Sequence, residues 1–196
     1  MTVRTASAIF LIVFALLLSG CLIESTLNAQ GGGTLHIVTR LSDDATLSWA
    51  RAQVEGPDVK VTGISFDDEH LATYDLQFDD ITKISSSKTF AGTTVTVKDG
   101  PDGTRTVSAV ILHEVMADLP REAIKLYGPD FMLTATLPGP IVQSNATEVK
   151  DQTAIWKIPL AEYLAKPRWP FTVTFSRPGS APTGGTGSAS APTPGM

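Results

Sequence analysis

Apolar and polar side chains alternate along several short stretches of the chain, the period-2 pattern of half-buried strands. In the first, Leu35, Ile37, Thr39 and Leu41 share one face, with Thr34, His36, Val38 and Arg40 opposite. Ala72, Tyr74, Leu76 and Phe78 repeat the pattern against Thr73, Asp75 and Gln77. Thr93–Val97 and Val107–Ile111 flank Asp99-Gly100-Pro101-Asp102-Gly103, turn chemistry that predicts a hairpin. Phe131, Leu133, Ala135 and Leu137 predict a strand ended by Pro138-Gly139-Pro140. Ala154, Trp156 and Ile158 predict another, and Trp169, Phe171, Val173 and Phe175 the last.

Helical spacing is rarer. Ser42 is placed to cap a helix with Asp43 and Asp44 in its first turn, favourable against the helix dipole. Leu47, Ala50 and Val54 would line its inner side, and Gly56-Pro57 would stop it. Trp49 falls off that stripe, which leaves it for a membrane surface, a partner or solvent. Asp118 is placed to cap a second helix, with Leu119, Ala123, Leu126 and Tyr127 inward and Gly128-Pro129 as the stop. Short helical turns are expected near residues 79–86 and 160–165. The predicted class is α+β: a mainly antiparallel twisted sheet with two or so helices packed on one face.

The N-terminus follows a different rule. Arg4 is the sole charge in residues 1–21, and an unbroken apolar run extends from Ala8 to Leu18. A helix needs roughly 20 apolar residues to cross a bilayer core, so this run has the length of a signal-peptide core instead. Leu18-Ser19-Gly20-Cys21 follows it directly and resembles the lipobox of bacterial lipoproteins. That resemblance implies cleavage before Cys21 and attachment of lipid to its thiol. A single acyl chain holds a protein only marginally, and the two or three chains of bacterial lipoproteins give stable anchoring. Leu22, not Asp, follows the cysteine, so the familiar inner-membrane retention signal is missing.

Composition divides the rest. Residues 21–33 are expected to form a lipidated flexible tether, ending in Gly31-Gly32-Gly33. Residues 34–176 form the predicted domain. In residues 177–196, 18 of the 20 are Gly, Pro, Ser, Ala or Thr, too little apolar surface to offset chain entropy, so a disordered tail is expected. The 196-residue chain carries 15 Lys+Arg against 20 Asp+Glu, and with no basic cluster no nucleic-acid partner is expected. Its one cysteine rules out an internal disulfide.

Leu137-Pro138-Gly139-Pro140-Ile141-Val142-Gln143-Ser144-Asn145-Ala146 leads to Thr153-Ala154-Ile155-Trp156. This resembles the LppM-like bacterial lipoprotein domain, whose members show a Pro-Gly, a Ser/Thr-Asn and then a strand ending in Trp. Physically, the Pro-Gly breaks one strand, Ser144-Asn145 suits a turn, and Trp156 anchors the returning strand. Members commonly carry a C-terminal transmembrane helix with a basic tail, where residues 177–196 are here expected to form only the disordered tail. The resemblance implies an envelope-facing module with lipid as a candidate ligand, and brings no catalytic residues.

Catalytic patterns fail on spacing. His113-Glu114 begins like a zincin helix, but Ala117 stands where the second histidine belongs. His36 reads as an exposed imidazole. Asp67-Asp68-Glu69-His70 has the carboxylates of a cation site but reads as a solvated loop. No nucleophile elbow, phosphate loop or dinucleotide fingerprint occurs. No metal or cofactor is expected.

The expectation is therefore a non-enzymatic lipoprotein on the extracytoplasmic side of a bacterial membrane, held through Cys21 and binding a lipid, another amphiphile or an envelope protein. Trp156, Phe131, Phe171 and Phe175 are the candidate apolar ligand-binding face. An envelope structural or protein-interaction domain is the alternative, with an unrecognised hydrolase behind it.

Overall fold

The computed structural model describes residues 22–41, 45–67, 71–100, 102–113 and 129–179. Seven strands build the larger sheet: β1 (Leu22–Leu27), β2 (Gly33–Arg40), β3 (Val59–Phe66), β4 (Leu71–Phe78), β7 (Asp130–Thr136), β9 (Glu148–Lys150) and β10 (Thr153–Pro159). Their order is β3-β4-β2-β1-β7-β10-β9. Four strands build the smaller sheet: β5 (Thr93–Asp99), β6 (Thr104–Leu112), β8 (Ile141–Ser144) and β11 (Arg168–Ser176), in the order β5-β6-β11-β8. All paired strands run antiparallel except β1 and β7, which are parallel. The protein is thus mixed α and β, mostly sheet.

Every strand predicted from alternation forms, and the apolar face goes inward. Leu35, Ile37, Thr39 and Leu41 of the first stretch are buried, as are Ala72, Tyr74, Leu76 and Phe78 of the second. The hairpin of β5 and β6 closes as predicted: Asp102 accepts from the Thr104 backbone N–H at 3.2 Å and from its hydroxyl at 2.6 Å. Those bonds hold the Asp102 carboxyl below its ordinary range. Arg105 Nε donates to Asp99 at 2.7 Å, lowering the Asp99 pKa in the same way.

The largest correction concerns residues 21–33. Leu22–Leu27 is no flexible tether; it is β1, paired on both sides, with β2 and β7 as neighbours. Ile23 and Leu27 are buried. The three glycines are not a spacer either. Gly31 takes a positive φ of 97° in the turn between β1 and β2. Gly33 packs so tightly on the Thr26 carbonyl that a Cβ could not be placed there. The domain therefore includes Leu22–Gly33 and does not begin at Thr34. At the other end Arg177 still belongs to it, its backbone N–H donating to the Gly103 carbonyl at 3.0 Å.

Helix α1 (Leu47–Val54) is capped by Thr46, whose hydroxyl accepts from the Trp49 N–H at 3.2 Å. Ser42, the predicted cap, lies outside the described residues with Asp43 and Asp44. Ala50 and Val54 are buried as expected, but Leu47 is 50% exposed because the helix starts with it at its open end. Trp49 packs partly buried against the core. A 3₁₀ helix (Ile81–Ser86) and α2 (Leu160–Ala165) occupy the predicted short turns. The helix expected at 118–127 lies outside the described residues. Among the described residues, no helix is long and apolar enough to cross a membrane.

An apolar cavity between the sheets as candidate functional site

The inner face of the larger sheet can be followed row by row across its registers. One row reads Tyr74, Ile37, Ile23, Leu133, Trp156, all large side chains. The next reads Leu76, Leu35, Ser25, Ala135, Ala154. Bulk therefore stops at β1, and three small side chains follow it across β1, β7 and β10. In the smaller sheet, Ala109 of β6 is small too, between Val95 of β5 and Phe171 of β11. Two sheets pack with their backbones roughly 10 Å apart, so opposed small residues leave that space unfilled.

The result is a cavity of about 110 Å³. The larger sheet supplies Ile23, Ser25, Leu27, Leu35, Leu133, Ala135 and Trp156, the smaller sheet Val95, Val107, Ala109, Ile111 and Phe171. Ile81 and Ile84 of the 3₁₀ helix, with Phe90, close one side. Among the described lining residues the side-chain polar groups are the hydroxyls of Ser25 and Thr93 and the indole N–H of Trp156. Such a lining offers few of the two to four polar partners that a water molecule needs, and it suits hydrocarbon.

The four aromatic residues proposed as the ligand face divide. Trp156 and Phe171 line the cavity, meeting edge to face at 5.6 Å. Phe131 does not line it; its ring stacks on Tyr163 at 4.2 Å and is 1% exposed. Phe175 is buried core and does not line it either. Ile23, Ser25 and Leu27 join the lining from the segment expected to be a tether. The signal was present, since Ile23, Ser25 and Leu27 fall at period-2 spacing. The small residues Ala109 and Ala135 carried no such signal.

The remaining candidates lie elsewhere. His36 is on the outer face of the larger sheet, with Nδ1 2.8 Å from Asp75 Oδ1 and Glu24 opposite it on β1. His113 stacks on Tyr163 at 4.6 Å. Asp67 accepts from the Leu71 backbone N–H at 2.8 Å, the bond of a turn. Asp68, Glu69 and His70 lie outside the described residues, as do Glu114, Ala117 and Cys21. Among the described residues, no group of three or more metal-ligating side chains converges.

The Pro-Gly, Ser-Asn and Trp motif assembles into one structural clasp. Gly139 lies against the Ser176 carbonyl, where a Cβ has no room. Ser144 Oγ donates to the Thr172 carbonyl at 3.1 Å. Asn145 Oδ1 accepts from Trp156 Nε1 at 2.9 Å and from the Thr172 N–H at 2.8 Å, and Nδ2 donates to the Pro170 carbonyl at 2.9 Å. One side chain thereby ties β10 of the larger sheet to β11 of the smaller and fixes the orientation of Trp156 in the cavity wall.

No family model matches the chain. No curated protein matches it either. Among solved structures, it is similar to the NMR structure of the folded domain of the Mycobacterium tuberculosis LppM protein. The two share 10% identity over 81% of this chain and 90% of that one, with a TM-score of 0.47.

Proposed function

We propose that this chain is a bacterial lipoprotein, anchored through Cys21, whose domain binds an amphiphile by taking part of its hydrocarbon chain between the two sheets. The observation that carries the reading is the cavity lined by Leu, Ile, Val, Ala, Phe and Trp side chains. Its volume suits a short length of hydrocarbon, given that engineered apolar cavities of about 150 Å³ bind benzene. The ligand is therefore one whose apolar end enters while its polar end stays outside. The role is binding, not catalysis, and the partner is lipid. The His36–Asp75 pair, an acid–base couple by composition, sits on the opposite face of the larger sheet from the cavity. The Leu18-Ser19-Gly20-Cys21 pattern after an apolar run supports the anchoring, and with it an extracytoplasmic domain.

Native mass spectrometry of the chain from Leu22 onward tests the binding. A retained or added long-chain fatty acid, seen as a discrete mass increment, is the expected result. A bare protein mass with fatty acid in excess would remove the lipid reading and leave the structural, protein-interaction role.

A further inference from the structure

Given acylation of Cys21, on which this inference rests, we infer that the end of the domain where β1 begins is held directly against the bilayer. Cys21 precedes Leu22 with no residue between them, and consecutive Cα atoms are 3.80 Å apart. Leu22 is already in register with Val38 on β2 and Met132 on β7. The lipid is thus attached to an interior strand of a seven-stranded sheet. A flexible spacer of a dozen residues would let the domain wander roughly 20 Å from its anchor; β1 leaves no such slack.

The topology says which side chains share that end. β7 runs parallel to β1 and begins there, so β10 ends there and α2 follows at once. The Leu160 N–H donates to the Pro129 carbonyl at 2.8 Å, and the His113 N–H to the Pro167 carbonyl at 3.1 Å. These bonds bring the end of β6 and the start of β11 to the same level. Leu112, the last residue of β6, is 50% exposed, opposite the exposed Arg168. Trp169 is only partly buried, with Lys166 Nζ 4.6 Å from its ring centre.

An exposed leucine and long cations on flexible stems suit a lipid headgroup layer, while the Trp169 N–H is turned inward and donates to the Tyr163 carbonyl at 2.7 Å. Charge does not carry the placement: Lys157 is paired with Asp130 at 3.1 Å and Lys166 with Glu162 at 2.7 Å. The covalent attachment carries it. The Ile23 end of the cavity then lies nearest the bilayer, two residues from the lipid.

The single cysteine makes the test clean, since acylation consumes its thiol. Leu112→Cys and Arg168→Cys at the β1-start end, and Gln152→Cys at the opposite end, each receive an environment-sensitive fluorophore. The acylated full chain, its acyl mass confirmed, is then inserted into phosphatidylcholine vesicles containing a nitroxide-headgroup lipid. Several-fold stronger quenching at positions 112 and 168 than at 152, unchanged by added salt, is expected. Equal quenching at all three on a confirmed acyl-protein would overturn the placement while leaving the lipoprotein reading intact. An unacylated mass would overturn both.

Discussion

The same strands build two unlike regions a few residues apart. At the β1-start end, Phe131 of β7 and Trp169 of β11 meet Tyr163 in a filled aromatic stack, with ring centres 4.2 and 5.8 Å away. Farther along, β7 presents Ala135 and β6 presents Ala109, and the space between the sheets is empty. Strand pairing is regular through both regions. The difference lies in side-chain volume and in the Tyr163 ring that α2 adds to the filled half, and it teaches that a cavity is placed by its small residues while the large ones around it hold the sheets apart.

Truncation in the filled region should have the largest effect. Phe131→Ala removes the ring that Tyr163 covers, and a Phe→Ala change in a core costs about 3–5 kcal/mol. Denaturant unfolding should show that loss; a change below about 1 kcal/mol would mean that the stack is not the packed half of the contrast. Ala109→Leu puts bulk into the hollow half and should behave in the opposite sense. Stability should stay within about 1 kcal/mol of the parent or rise, while fatty-acid retention falls at least about ten-fold in native mass spectrometry. A loss of several kcal/mol with binding preserved would show that the space is already filled.

The smallest effect concerns a wall of the cavity. Asp80 caps the 3₁₀ helix that brings Ile81 and Ile84 to the lining, accepting from the Thr82 hydroxyl at 2.7 Å and from its N–H at 2.9 Å. The hydroxyl bond first, then the backbone bond, hold its pKa below the ordinary 3.8. Because the folded value is the lower one, the stabilisation is complete above the ordinary value. It is lost as pH falls through the lowered one. Asp80→Asn keeps an acceptor but not the charge, so its stability should fall less steeply than the parent's below pH 3.8. Parallel acid limbs in thermal melts across that range would remove Asp80 from the account.

Legibility followed the range of the forces involved. Strands β2, β4, β10 and β11 were readable because burial on one face imposes alternation on neighbouring residues. β3 was not, since Thr62 sits in a bulge where its register shifts between Val61 and Gly63. All four candidate aromatic residues are legible as apolar strand-face positions, but only Trp156 and Phe171 line the cavity, while Phe131 and Phe175 are core. Asn145 was readable as a turn residue, but its bonds to Trp156, Thr172 and Pro170 join strands distant in sequence.

Read alone, the chain determined the local choices: which segments extend, where Asp99–Gly103 and Pro138–Pro140 break them, and the apolar run with Cys21 behind it. These depend on residues near in sequence, whose side chains alternate or whose backbones prefer a turn. The spacing of Ile23, Ser25 and Leu27 permits a strand, but tertiary structure decided that Leu22–Leu27 is an interior one, because a six-residue segment has no stable form until β2 and β7 satisfy its backbone on both sides. It also decided where the cavity lies. Ser25, Ala109 and Ala135 are unremarkable in their own strands and leave a void only when two sheets bring them face to face.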